Sequence, residues 1–208
     1  MAAALLLVIG VTVPAYAAFT SYRTEVTGIT PATPGLEATS TLNGEQITVS
    51  NTSSAEVVVD GYQGEPYLKI TSAGVWQNDL SPAVYLNKEQ TIGNIPRDAN
   101  ADQPPQWTKI SDGHRAQWHD HRIHWMGATE PPAVAADPRH PHLINNWTIP
   151  IAVGETTGEI AGTLSYVPPS RLGTYLTYGG IGLAVVVVIA LQVLVLRRRR
   201  GSRDAREA

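Results

Sequence analysis

The run Leu176–Leu196 holds no charged residue, and Arg197, Arg198, Arg199 and Arg200 follow it at once. As a helix, these residues rise about 31 Å, close to the hydrocarbon thickness of a bilayer. Clustered Lys/Arg marks the cytoplasmic side of such a span. The run therefore predicts one C-terminal transmembrane helix at 176–196 and a basic cytoplasmic tail at 197–208. The chain before it then lies on the outer face of the plasma membrane, single-pass, with the lipid bilayer as its first partner. Gly180-x-x-x-Ala184 within the run is a small-residue pair that permits close helix approach.

The opposite end points the same way. Ala2–Val13 is a short apolar stretch, and Ala15-Tyr16-Ala17 fits the small-x-small pattern that precedes a signal-peptidase cut. Residues 1–17 read as a signal peptide, and an uncleaved anchor there would leave the middle of the chain on the same outer side.

Residues 18–170 are long enough for one domain with its own core. From Ala18 to Tyr175 there are nine Lys/Arg and sixteen Asp/Glu, a net charge of 9 − 16 = −7. The last twelve residues carry six Arg against one Asp and one Glu, a net of +4. An acidic exterior excludes nucleic acid as the partner, because phosphate backbones demand a basic surface. The chain has no cysteine, so thiolate metal sites and cysteine nucleophiles are excluded as well.

Helical periodicity is hard to find between Phe19 and Ser170. Gly, Pro, Asn, Asp, Ser and Thr interrupt short β-branched or aromatic runs, the pattern of a β-sandwich or barrel. The expected strands are Gln46–Ser50, Ala55–Asp60, Tyr67–Thr71, Ala83–Leu86, Gln106–Ile110, Ala116–Trp125, Leu143–Ile151 and Gly158–Tyr166. Asn43-Gly44 reads as a hairpin turn, since both residue types tolerate positive φ. Asn94–Pro105 and Glu130–Pro141 read as irregular surface segments, and Pro168-Pro169-Ser170 as a stiff stalk. The fold expected is mainly β, an exported Ig-like or CopC-like β-sandwich followed by one transmembrane helix.

All six histidines fall within residues 114–142. The densest segment, Trp118-His119-Asp120-His121-Arg122-Ile123-His124-Trp125-Met126, puts His119 and His121 on one face if it is a strand. Two imidazoles spaced i, i+2 on a strand project in parallel and chelate Zn²⁺ or Cu²⁺. His140-Pro141-His142 repeats that spacing, so the candidate metal ligands are His119, His121, His124, His140 and His142. Asp120 and Met126 are further donors, Met126 for Cu(I) only. The competing reading of the same segment is structural: an aromatic ladder with an ordinary Asp120–Arg122 pair. Catalysis has no support. There is no G-x-S-x-G elbow, no H-E-x-x-H and no phosphate-binding glycine loop. Asp60-Gly61-Tyr62-Gln63-Gly64-Glu65-Pro66-Tyr67 reads as a turn with aromatic packing, or as a ligand-contacting loop.

On the stretches GYQGEPYLKI (61–70), LSPAVYLN (80–87), RAQWHDHRIHWM (115–126), NNWTIPI (145–151) and GTLSYVPP (162–169), the chain resembles a group of uncharacterised actinobacterial single-pass membrane proteins. That resemblance implies topology and bacterial origin and carries no activity. Asn146-Trp147-Thr148 through Gly162-Thr163-Leu164-Ser165-Tyr166 is also similar to the last two strands of CopC-type copper-carrier domains. That likeness implies the sandwich fold. The family's copper site uses an N-terminal histidine and a D-G-H turn before the last strand. Here the mature N-terminus is Ala18-Phe19-Thr20, the late turn is Gly154-Glu155-Thr156-Thr157-Gly158, and the one D-G-H is Asp112-Gly113-His114. None of the family's ligands carries over.

Two functions follow from these readings. One is a non-catalytic binding or interaction module of the cell envelope, without a cofactor, whose partners are other envelope proteins. The alternative is an extracytoplasmic Cu or Zn ion-binding domain built on the His119–His142 cluster.

Overall fold

The computed structural model describes residues 21–41, 44–88, 94–169 and 179–192. The expected signal peptide, the tail at 197–208 and both ends of the apolar run lie outside these residues. So do Leu42 and Asn43 of the expected hairpin turn, whose Gly44 has φ +70°. The chain divides into two compact units, residues 1–167 and 168–208, and each is described by itself.

The first unit is mainly β, with ten strands among its described residues: β1 (Tyr22–Thr30), β2 (Leu36–Ser40), β3 (Gln46–Asn51), β4 (Val57–Asp60), β5 (Pro66–Thr71), β6 (Gly74–Asn78), β7 (Trp107–Ser111), β8 (Arg115–His119), β9 (His142–Val153) and β10 (Thr156–Tyr166). Every pairing is antiparallel. One sheet runs β1-β10-β9-β4-β5-β6-β7 and the other β2-β3-β8. Alternation supplies the core. Trp147, Ile149, Ile151 and Val153 of β9 point inward with Ile160 and Leu164 of β10, Val57 and Val59 of β4, and Leu68 and Ile70 of β5. From the smaller sheet, Ile47, Val49, Ala116 and Trp118 join the same cluster. Two antiparallel sheets sharing one apolar core are consistent with a β-sandwich.

The β9–β10 hairpin turns at Gly154, whose φ of +58° suits the first position of a two-residue turn. Gly162 has a different reason to be glycine. It faces Trp147 across the β9–β10 ladder, and a Cβ there would lie 2.0 Å from Trp147 Cζ2 and 2.4 Å from the Glu25 carbonyl oxygen of β1. Backbone on one side and a buried indole on the other leave no room to give. Gly162→Ala should cost about 3 kcal/mol or more in urea denaturation. A change below about 1 kcal/mol would mean that β1 is free to move aside.

Two expected strands are corrected. Ala83–Leu86 is helical, within α1 (Pro82–Leu86). Ser81 accepts a hydrogen bond from the Ala83 N–H as N-cap, and Pro82 occupies the first turn, a start signal that outweighs the β-branched content. Ala116–Trp125 is not one strand either, because β8 stops at His119. Asp120 Oδ1 accepts from the Arg122 N–H at 3.0 Å and the Asp120 carbonyl from the Ile123 N–H at 3.2 Å, which turns the chain out of the sheet. The i, i+2 strand-face pair of His119 and His121 therefore does not form. Glu130–Pro141 contains a short helix, α2 (Pro132–Ala136), and β1, β2 and β6 arise where no strand was expected.

In the second unit residues 179–192 are helical, and Ile181, Leu183, Val185, Val186, Val187, Val188, Ile189 and Leu191 are exposed. Among the described residues no helix is long and apolar enough to cross a membrane.

Candidate metal centre

The turn that ends β8 rests on a buried ion pair. Asp120 is fully buried and carries one of its carboxylate oxygens against Trp118 Nε1 (2.9 Å) and Arg122 Nη2 (2.8 Å). The other oxygen accepts from Arg122 Nε at 2.9 Å in addition to the backbone N–H. Burial alone would push the Asp120 carboxyl up. The hydrogen bonds and charge of Arg122 outweigh it and, with the Trp118 indole, hold it below the usual carboxylate range. The guanidinium also donates to the Asp60 carbonyl at 3.2 Å and lies 4.8 Å from the Tyr62 ring centroid.

The Asp60–Tyr67 turn is thus the seat of this loop. The Tyr62 hydroxyl accepts from the His121 N–H at 2.9 Å and donates to Asn87 Oδ1. Buried Glu65 ties the same turn to α1, accepting from Ser81 Oγ at 2.6 Å and from the Gln63 N–H at 3.0 Å. Burial raises the Tyr62 phenol and pushes that of Tyr67 up to about 12, so neither offers a phenolate ligand at neutral pH.

On this support stand three imidazoles. His119 closes β8, while His121 and His124 follow in the turn, and one nitrogen from each lies within 4.8 Å of the others. His119 Nε2 is 3.0 Å from His124 Nε2, and the rings pack with centroids 4.7–5.3 Å apart. Backbone carbonyls fix the tautomers. His121 Nε2 sits 2.8 Å from the Leu86 carbonyl oxygen and donates to it, which in the neutral ring leaves Nδ1 with its lone pair. His124 Nδ1 faces the Trp125 carbonyl at 3.3 Å, which leaves its Nε2 free to accept. His119 also hydrogen-bonds the Glu45 backbone. Metal-ligating histidines are oriented in this way, with the second ring nitrogen donating to a carbonyl.

Burial lowers His119 below its ordinary value, helped by the charges of His124 and His121 and opposed by Glu45. Burial also lowers His124, against the Trp125 carbonyl and with His121 adding to the effect. Both rings are thereby held neutral, the form that binds a metal. Ligands about 2.0–2.1 Å from a tetrahedral ion stand roughly 3.3 Å apart, so small rotations bring all three nitrogens to an ion. A cleft of about 400 Å³ runs beside His119, lined also by Trp118, Tyr67 and Asn87.

The remaining candidates lie elsewhere. His140 Nδ1 pairs with Asp137 Oδ2 at 2.7 Å, while His142 Nε2 bonds the Asp137 carbonyl at 2.6 Å and stacks on Tyr166. Neither joins the three-imidazole group. Asp120, with both oxygens engaged, cannot ligate, whereas Met126 Sδ comes within 3.1 Å of His121 Nδ1. The supporting roles of Leu86, Glu45 and Asn87 had no sequence signal, because they act through backbone or through a partner distant in the chain. Tyr62 did have one: its turn stood out for two tyrosines and two glycines.

Compared with protein-family models, curated proteins and solved structures, the chain matches none.

Proposed function

We propose that this chain is a metal-ion-binding protein of the bacterial cell envelope, whose centre is His119, His121 and His124 and whose ion is copper or zinc. One observation carries the reading: three imidazoles, hydrogen-bonded to backbone carbonyls, bring one nitrogen each within 4.8 Å of one another.

In this proposal the β-domain is an Ig-like or CopC-like sandwich on the outer face of the plasma membrane, anchored by 176–196 with the basic tail inside. The uncharged run before four arginines supports the anchor, as does a helix at 179–192 whose apolar side chains are exposed all round. No catalysis is proposed. A non-catalytic interaction module is the second reading, favoured by Trp125 and Met126, which stand 37% and 47% exposed beside the histidines.

Calorimetric titration of the full chain with Cu²⁺ and with Zn²⁺, beside a His119→Ala/His121→Ala variant, tests it. One ion per chain at micromolar or tighter affinity, lost in the variant, is the expected result. Heats no larger than dilution for both ions, with no Cu(I) bound under reducing conditions either, would overturn the metal reading and leave the interaction module.

A further inference from the structure

The thioether beside His121 says more about which ion the centre takes. Resting on the metal-binding reading above, we propose that the ion is Cu(I), bound by His119, His121 and His124 with the Met126 sulfur as fourth ligand.

The first argument is the contact between Met126 Sδ and His121 Nδ1, at 3.1 Å. A thioether has no proton to give. In the neutral ring Nδ1 has none either, since the His121 proton faces the Leu86 carbonyl from Nε2. Two lone pairs then face each other with nothing between them to bond. A cation held by Nδ1 and Sδ resolves that contact, and the adjoining His119–His124 pair, 3.0 Å apart, offers two further nitrogens.

The second argument is charge. Among the described residues the group of potential ligand side chains contains no carboxylate, and Asp120 is fully engaged by Trp118 and Arg122. Three neutral imidazoles and a thioether supply no negative charge, and the carboxylates of Glu45 and Asp120 act on the rings only from outside the ligand set, so a divalent ion's charge is compensated only in part in a half-buried site. Ion desolvation grows with the square of the charge, which favours a monovalent ion over Zn²⁺ or Cu²⁺.

The third is softness. Thioether sulfur selects Cu(I), whereas zinc takes its sulfur from thiolates, and this chain has no cysteine. Met126 and Trp125 are partly exposed, so the ion is reachable from the sulfur side, as exchange with another copper ligand requires.

The test uses the full chain in detergent micelles, with Cu(I) kept reduced by ascorbate under nitrogen and competed against bicinchoninate. Zn²⁺ is competed in parallel against a chromophoric zinc chelator. Met126→Leu should weaken Cu(I) binding by about tenfold or more and change Zn²⁺ affinity less than about twofold. Copper K-edge absorption of the loaded protein should show a sulfur scattering shell that the variant lacks. Met126 is partly exposed, so the substitution leaves the core intact, and the absorption spectrum reads the ligand independently of affinity. Unchanged Cu(I) affinity in M126L, or a nitrogen-only shell in the parent chain, would overturn the thioether ligand while leaving the imidazole centre standing. No binding of either ion would remove both proposals.

Discussion

Arg122→Met should destabilise the β-domain by about 3–5 kcal/mol, because it leaves Asp120 as a buried charge without its cation. Asp120 has no side-chain exposure and Arg122 only 18%, so solvent does little to screen the loss. The guanidinium also fills the space over Tyr62 and satisfies the Asp60 carbonyl, and methionine replaces neither contact in kind. Urea denaturation followed by tryptophan fluorescence measures the change. Asp120→Asn/Arg122→Met, which removes both charges, should recover a large part of the loss. A double variant no better than Arg122→Met would mean that the guanidinium acts by packing and not by charge. The same single variant should lower metal affinity by about 10–100-fold, because it loosens the turn that aims His121 and His124 without touching a ligand.

That turn also marks where sequence reasoning succeeded and where it failed. The donor types were legible: imidazoles gathered in one segment, with Met126 nearby and no cysteine. The placement was not. Trp118 to Met126 has strand-like composition, and only the capture of the Arg122 N–H by Asp120 diverts it into a turn. That capture depends on burial and contacts supplied by Tyr62 and Asp60, residues distant in the chain, together with neighbouring Trp118. His140 and His142 share the spacing of His119 and His121, yet Asp137 takes both, through its carboxylate and its carbonyl. Spacing alone cannot tell a chelate from two local hydrogen bonds. The mainly β fold was legible from short β-branched and aromatic runs between turn residues, which fall on β3, β4, β9 and β10. α1 was misread although Ser81-Pro82 carried its start signal, because a strand fits Ala83–Leu86 equally well by hydrophobicity. β6 was missed because five residues with a leading glycine give too short a period to stand out.

Metal should stabilise the folded chain by about 2.7 kcal/mol at a free concentration 100 times Kd, and acid should abolish the gain. The sign follows from the two lowered histidines. His119 and His124 have folded values below the ordinary one near 6.5, so in the window between the two values the unfolded chain binds more protons. Stability of the metal-free chain is therefore full above about pH 6.5 and declines as pH falls through that window. Asp120 adds a second loss, which begins near the unfolded carboxylate value of about 3.9 and continues as pH falls toward its lower folded value. Metal competes with protons for the same nitrogens. Above pH 6.5 it displaces almost none from His119 and His124, and below their folded values each of the two, once protonated, costs about tenfold in affinity per pH unit. Melting curves with and without Zn²⁺ should accordingly differ most near pH 7.5 and converge by about pH 5. The His119→Ala/His121→Ala variant should show no difference at either pH. A metal-induced shift as large at pH 5 as at pH 7.5 would assign the ion to carboxylates instead. The imidazole centre would then fail on a measurement that needs no knowledge of what the protein does in the cell.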